Sequence, residues 1–255
     1  MTYKEILAAA MRQSAIDCSC GEGDFRGDKN IFVENKASEQ ASKFLKSPNT
    51  CRLVSYGSNV VASCRKDLIP EVEAFVNGQE KFHRCFEPMA IYELNKILQK
   101  AGARVAWMHS FYLPDPDAVF NEELTCPYEM REMHPEDFTD LYVPEWSNAL
   151  SRKERKELDM LGYGAYDGDS LIGLAGCSDD CVEMWQIGID VLPEYRRKGV
   201  ASALTNRLAR AIFEHGKIPL YAAAWSNVRS IRNGMKSGFR PAWAALESEI
   251  INTEN

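Results

Sequence analysis

Residues 187–204 read Ile187-Gly-Ile-Asp-Val-Leu-Pro-Glu-Tyr-Arg-Arg-Lys-Gly-Val-Ala-Ser-Ala-Leu204. The apolar alternation up to Val191 predicts a strand, and Pro193 ends it. Arg196, Arg197, Lys198 and Gly199 form a basic turn. Beyond it, Val200, Leu204, Leu208, Ala211 and Ile212 fall on one face of a helix that Gly216 closes. A loop of this kind presents backbone N–H groups at a helix N-terminus, where the positive end of the helix dipole favours phosphate. Gly199 allows close approach of a ligand, and Ala201 keeps the same surface small. Three consecutive cations add charge. A pyrophosphate is the ligand class these features suit. The same residues also describe a plain helix start after a turn with solvated arginines. They are neither a P-loop nor a dinucleotide fingerprint, since no Gly-Lys-Ser/Thr follows and Gly199 stands alone.

Outward from this stretch, the C-terminal half predicts a mixed sheet. A strand over Tyr128–Met133 is followed by a helix-rich segment from Pro135 to Leu158. Its charged run 152–157 has the pattern of a solvated helical face. Apolar runs at 162–166, 171–177 and 182–191 are separated by Asp167-Gly168-Asp169 and by Ser178-Asp-Asp180, which predicts an antiparallel meander. After the helix at Val200 come a strand (218–224), a second helix and a strand region (239–251).

Prolines at 114, 116 and 127, with the polar run 121–123, mark a linker. The expected division is therefore 1–125 and 126–255. The N-terminal part reads as a smaller α/β domain. Helices are expected over 3–14, 36–46, from Pro70 to Val76 and from Pro88 towards Gly102. Residues 52–56 and 59–63 suit a hairpin, 104–113 a strand, and 21–28 a turn-rich loop. His83, Cys85 and His109 form no catalytic constellation by spacing.

Composition excludes several classes. The 255 residues carry 30 Lys+Arg against 37 Asp+Glu, a net charge of −7, which argues against a nucleic-acid-binding face. No apolar run reaches the ~18 residues of a membrane span, and Ile6–Met11 is too short for a signal-peptide core. The expected location is the cytoplasm. The eight cysteines lack the spacing of a zinc site and read as reduced thiols, so no metal is expected. Oligomeric state has no sequence signal.

Arg196-x-x-Gly199-x-Ala201, preceded by Ile189-x-Val191-x-Pro193, resembles the acetyl-CoA signature of the GNAT acetyltransferase superfamily. Asn227-x-x-Ser230, ending in Lys236-Ser-Gly238-Phe239, resembles that family's next helix and its exit. The likeness covers about residues 128–251 and is similar to a bacterial subgroup with an extra N-terminal region. It implies a mixed, mostly antiparallel central sheet flanked by helices, an α/β (α+β) class. It implies acetyl-CoA as cofactor and transfer of acetyl to an amine of a small molecule or peptide by direct attack. The backbone of Ile189 and Val191 would hold the pantetheine arm where that strand splays from 218–224. Arg196 and the amides of Arg197, Gly199, Val200, Ala201 and Ser202 would hold the pyrophosphate. Asn227 would bond near the cofactor, and it also suits a helix N-cap. The N-terminal part would be a substrate cap or a degenerate copy of the same fold.

Two positions depart from the family pattern. Gly234 stands where many members have a tyrosine that protonates the thiolate. Gln186 stands where some have a glutamate base. An amide cannot act as a base near neutral pH, though Gln186 can orient a water. Glu183 and Asp190 are the nearby carboxylates. Two functions therefore stay open, an active N-acetyltransferase and a non-catalytic acyl-CoA-binding sensor or interaction module.

Overall fold

Helix α1 (Tyr3–Cys18) opens the chain and outruns its expected end at residue 14. The computed structural model describes residues 1–45, 49–121 and 123–251. Residues 21–28 are a loop with one 3-10 turn, Glu22–Phe25. β1 (Ile31–Glu34) precedes the expected hairpin, β2 (Cys51–Ser55) and β3 (Val61–Cys64), in which Leu53 faces Ala62. Next come α2 (Ile69–Asn77), with a proline in its first turn, α3 (Pro88–Gln99) and β4 (Ala103–Pro114).

One expected helix is absent. Residues 36–45 are irregular, and Lys46 lies outside the described residues. The Asp17 carboxylate accepts from both the backbone N–H and the hydroxyl of Ser42, at 2.8 Å each. Gln13 donates to the Gln40 carbonyl at 3.0 Å. These bonds pair Ser42 and the Gln40 carbonyl with side chains of α1 instead of within a helix.

The expected linker is not one either. Its residues 116–121 form α4 (Pro116–Asn121), while Glu122 lies outside the described residues. Val119 is fully buried in the core, and the Asp115 N–H donates to the Gly238 carbonyl at 2.9 Å. Proline here starts a helix rather than breaking structure.

β5 (Glu129–Met133), β6 (Asp159–Asp167), β7 (Ser170–Ser178) and β8 (Met184–Val191) form the meander, each antiparallel to the next. The segment between β5 and β6 is not the expected helical stretch. It holds only 3-10 turns, at Pro135–Phe138, Pro144–Trp146 and Lys153–Leu158. Two of these begin at a proline, which lacks the N–H a continuing helix requires. α5 (Val200–Glu214), β9 (Ile218–Ala224), α6 (Val228–Lys236) and β10 (Phe239–Ile250) complete the chain.

The chain forms two compact units, Met1–Leu7 with Tyr112–Pro241, and Ala8–Phe111 with the chain from Ala242 on. These units are discontinuous in sequence, whereas the division expected at 125/126 was contiguous. In the first the strand order is β9-β8-β7-β6-β5, in the second β1-β3-β2-β10-β4. Both sets of strands are mixed, with β8/β9 and β1/β3 parallel. The first core packs Val200, Leu204, Leu208 and Ile212 of α5 against Ala175, Ile187 and Tyr221. The second packs α2 and α3 against Leu53, Ala62 and Leu246. Among the described residues no helix is long and apolar enough to cross a membrane.

Candidate functional site

β8 and β9 begin as neighbours and then part. Their parallel register runs from Met184↔Ile218 to Ile187↔Tyr221 and goes no further. β8 continues to Val191 on its other neighbour, pairing Gly188 with Gly176 and Val191 with Gly173 of β7. Its edge towards β9, over Gly188, Ile189, Asp190 and Val191, is therefore left without a strand partner. Unpaired backbone N–H and C=O groups of this kind need a ligand or water.

At the open end of the gap lies the basic loop. Pro193–Tyr195 form a 3-10 turn, and Gly199 is the N-cap of α5 at φ +86° with no side-chain cap. Arg197 also lies in the left-handed region, at φ +63°, which disfavours a side chain with a Cβ. Left-handed residues on both sides of Lys198 are the kind of backbone from which anion nests are built. The N–H groups of Val200, Ala201 and Ser202 follow in the helix's first turn, where no intrahelical carbonyl precedes them. The glycine was legible from sequence, but the strained Arg197 was not.

The predicted side chains take different parts. Arg196 donates from Nε to the Val191 carbonyl at 2.9 Å, tying the loop to the end of β8. Lys198 reaches the Tyr128 hydroxyl at 3.2 Å and stands 4.9 Å above the Tyr195 ring. The Ser202 hydroxyl donates to the Gly199 carbonyl at 3.1 Å. Asn227 caps α6 by accepting from the Ser230 N–H at 3.2 Å, its structural alternative.

On the opposite face of β8 the even-numbered residues line up. Gln186 has a buried Oε1 without a hydrogen-bond partner. Next along is Gly188, in a glycine row that crosses three strands, Gly162↔Gly176↔Gly188. A Cβ on Gly188 would overlap the Asn148 carbonyl oxygen, and one on Gly176 the Ala149 carbonyl oxygen. The backbone of 148–149 thus lies directly on the sheet. Asp190 clamps it there, accepting from the Asn148 N–H (2.7 Å), the Asn148 amide (2.7 Å) and the Ala149 N–H (2.9 Å). Asp190 is thereby occupied as a structural acceptor rather than standing free as a base. The glycines were visible in the sequence, but nothing there put them in register.

At the fork of the two strands sits Tyr221, 1% exposed. A Cβ on Gly234 would come within 3.0 Å of its ring. The glycine that departs from the family pattern is therefore filled from β9. Of the tryptophans near this region, Trp146 and Trp185 are buried and Trp225 is exposed. Among the described residues no group of His, Cys, Asp and Glu is placed to hold a metal, and the eight cysteines are free thiols.

The Acetyltransferase (GNAT) family matches residues 119–239. This segment belongs to that family. The GNAT segment takes in the splayed strands, the basic loop, α5 and α6. A GCN5-related N-acetyltransferase from Kribbella flavida shares the fold along almost the whole chain, with a TM-score of 0.52 at 10% identity, covering 95% of each protein. A GCN5-related N-acetyltransferase-like protein from Streptococcus suis matches at TM-score 0.45 and 19% identity, over 60% of this chain and 67% of that one. A GNAT acetyltransferase from Colwellia psychrerythraea matches at TM-score 0.45 and 15% identity, over 62% of this chain. The chain spans 61% of the length of that relative, less than two thirds. No curated protein matches the sequence.

Proposed function

We propose that this GNAT protein transfers acetyl from acetyl-CoA to the amine of a small molecule or peptide. The observation that carries this reading is the parting of β8 from β9 after Ile187↔Tyr221, with an uncapped helix N-terminus at its open end. A long, thin acyl carrier with a polyphosphate at one end suits both features. The nest at Arg197–Gly199 and the first-turn amides of α5 take the pyrophosphate. The open edge at Ile189 and the Val191 N–H takes the amide-bearing arm by backbone hydrogen bonds, the Val191 carbonyl being held by Arg196.

The chemistry needs three services. The amine must lose a proton, the tetrahedral oxyanion needs a donor, and the departing sulfur needs a hydrogen bond. A backbone N–H near Val191 suits the oxyanion. The unpartnered Oε1 of Gln186 can accept from a water or from the amine itself, orienting the nucleophile without acting as a base. The acidic balance of the chain favours a cationic acceptor. The second reading, a binding module without transfer, rests on the glycine at 234 and the amide at 186.

Release of free thiol from acetyl-CoA with a panel of primary amines and polyamines tests the reading. Amine-dependent release supports transfer. Thermal stabilisation by CoA without release on any amine supports the binding module. Gly199→Val is expected to weaken CoA binding by tenfold or more in calorimetry, a cost of about 1.4 kcal/mol, because a β-branched residue resists the left-handed backbone that opens the helix. Unchanged affinity in a folded variant would place the phosphates elsewhere.

A further inference from the structure

We propose that Ser230, oriented by Tyr221, is the hydrogen-bond donor to the departing thiolate, replacing the side chain that Gly234 lacks. The proposal rests on the acetyl-transfer reading above. It comes from one hydrogen-bond cluster at the fork. The Asn233 amide nitrogen can only donate, and it does so to the Thr205 hydroxyl at 2.9 Å and to the Tyr221 hydroxyl at 3.4 Å. The Tyr221 oxygen accepts from Asn233, and it lies 2.8 Å from Ser230 Oγ, a pair in which either hydroxyl can donate. The Tyr221 hydroxyl also donates to the Ser230 carbonyl at 3.2 Å. With Tyr221 donating to its oxygen, the Ser230 hydroxyl has its own proton available for a further acceptor. Among the described residues Tyr221 is its one side-chain partner.

The position fits a role at the gap. Tyr221 is the last β9 residue paired to β8, next to Ile187. Adjacent residues of a parallel pair share a face and successive residues alternate, so Tyr221 projects from the face opposite to Gln186. The two groups flank the fork from opposite sides, an acceptor for the incoming amine and a donor for the leaving sulfur. Gly234 makes this arrangement feasible, since any larger residue there would press on the Tyr221 ring. Ser230 is half-buried in the first turn of α6, so its hydroxyl is not sealed in as Tyr221 is.

In the step itself, the amine nitrogen forms the new C–N bond and the tetrahedral centre expels sulfur with the C–S electron pair. Ser230 O–H passes its proton to the sulfur and takes the Tyr221 proton in exchange. The phenolate is held by the Asn233 amide until water returns a proton through Ser230. The proton lost by the amine leaves to solvent, so no other reactant is needed.

The test uses CoA alone, with the whole protein in excess so that all CoA is bound. The thiol is titrated by thiolate absorbance for the wild type, Ser230→Ala, Ser230→Thr and Tyr221→Phe, with CoA affinity measured alongside. A donor to the thiolate lowers the bound thiol's titration midpoint. Ser230→Ala is expected to raise it by about one pH unit, a tenfold change in thiolate population, and Ser230→Thr to restore it. Tyr221→Phe keeps the ring over Gly234 and is expected to give an intermediate value. A role in packing alone would leave the midpoint unmoved. Equal midpoints in wild type and Ser230→Ala, with CoA bound equally, overturn the assignment and leave the acetyl-transfer reading standing. Failure of the wild type to bind CoA overturns both.

Discussion

Gly234 shows how one residue carries two opposed demands. In the middle of α6 a glycine costs about 1 kcal/mol relative to alanine. The Tyr221 ring accounts for it, because a Cβ would sit 3.0–3.1 Å from the ring edge. That ring is buried and pinned by its hydroxyl, so it cannot yield cheaply. Gly234→Ala is expected to lower stability by about 1 kcal/mol net, overpacking outweighing helix propensity. In a Tyr221→Leu background the same change should become stabilising, and chemical denaturation of the four proteins measures the coupling. Failure of the sign to change would mean that the ring is not what excludes a side chain. His109 makes a residue-scale prediction about pH. Burial holds its imidazole below the ordinary value, and the Glu247 carboxylate opposes this less strongly. The folded state binds the proton more weakly than the unfolded one. Stability is thus full above about pH 6.5 and is lost as pH falls through the lowered value. His109→Gln should flatten that acid limb when denaturation midpoints are compared between pH 7 and pH 5. Parallel limbs would contradict it.

At the scale of elements, the segment before β6 is held by what lies beneath it rather than by its own helicity. The glycine row Gly162, Gly176 and Gly188 removes the side chains that would lift it off the sheet, and Asp190 supplies a charged acceptor for three of its donors. Asp190→Ala is expected to cost about 2 kcal/mol, as hydrogen bonds to a carboxylate are lost and the part-buried Ala149 N–H goes unpaired. Amide exchange at Asn148 and Ala149 should accelerate more than in α5. Uniform acceleration across the GNAT segment would argue against a local clamp. Pro135 and Pro144 each open a short 3-10 turn here, so the expected helix-rich stretch at 135–158 does not form. The charged run 152–157 suggested a solvated helix, whereas it forms a 3-10 stretch with a non-helical Arg155 at φ −131°.

At the scale of the molecule, each compact unit takes a segment from a distant part of the chain. The Ala8–Phe111 unit is completed from Ala242 on, where Trp243 stacks on Phe111 at 4.6 Å and Leu246 joins the core. Glu247 there faces the buried Arg52 at 3.6 Å, which Asp17 approaches at 3.8 Å from α1. Glu247→Ala should destabilise this unit by about 3 kcal/mol, because it leaves a buried guanidinium with a single counter-charge. Thermal unfolding followed at Trp243 tests this, and a shift no larger than that of an exposed Glu→Ala control would refute it. Sequence by itself determined the meander, the strand–basic loop–helix of residues 187–216 and the family, since these depend on period, turn residues and a local motif. Only tertiary structure decided that 114–127 packs as α4, that residues 36–45 stay irregular under Asp17, and that Tyr221 fills the place over Gly234. Those outcomes turn on pairings between residues far apart in sequence, which local propensity does not encode.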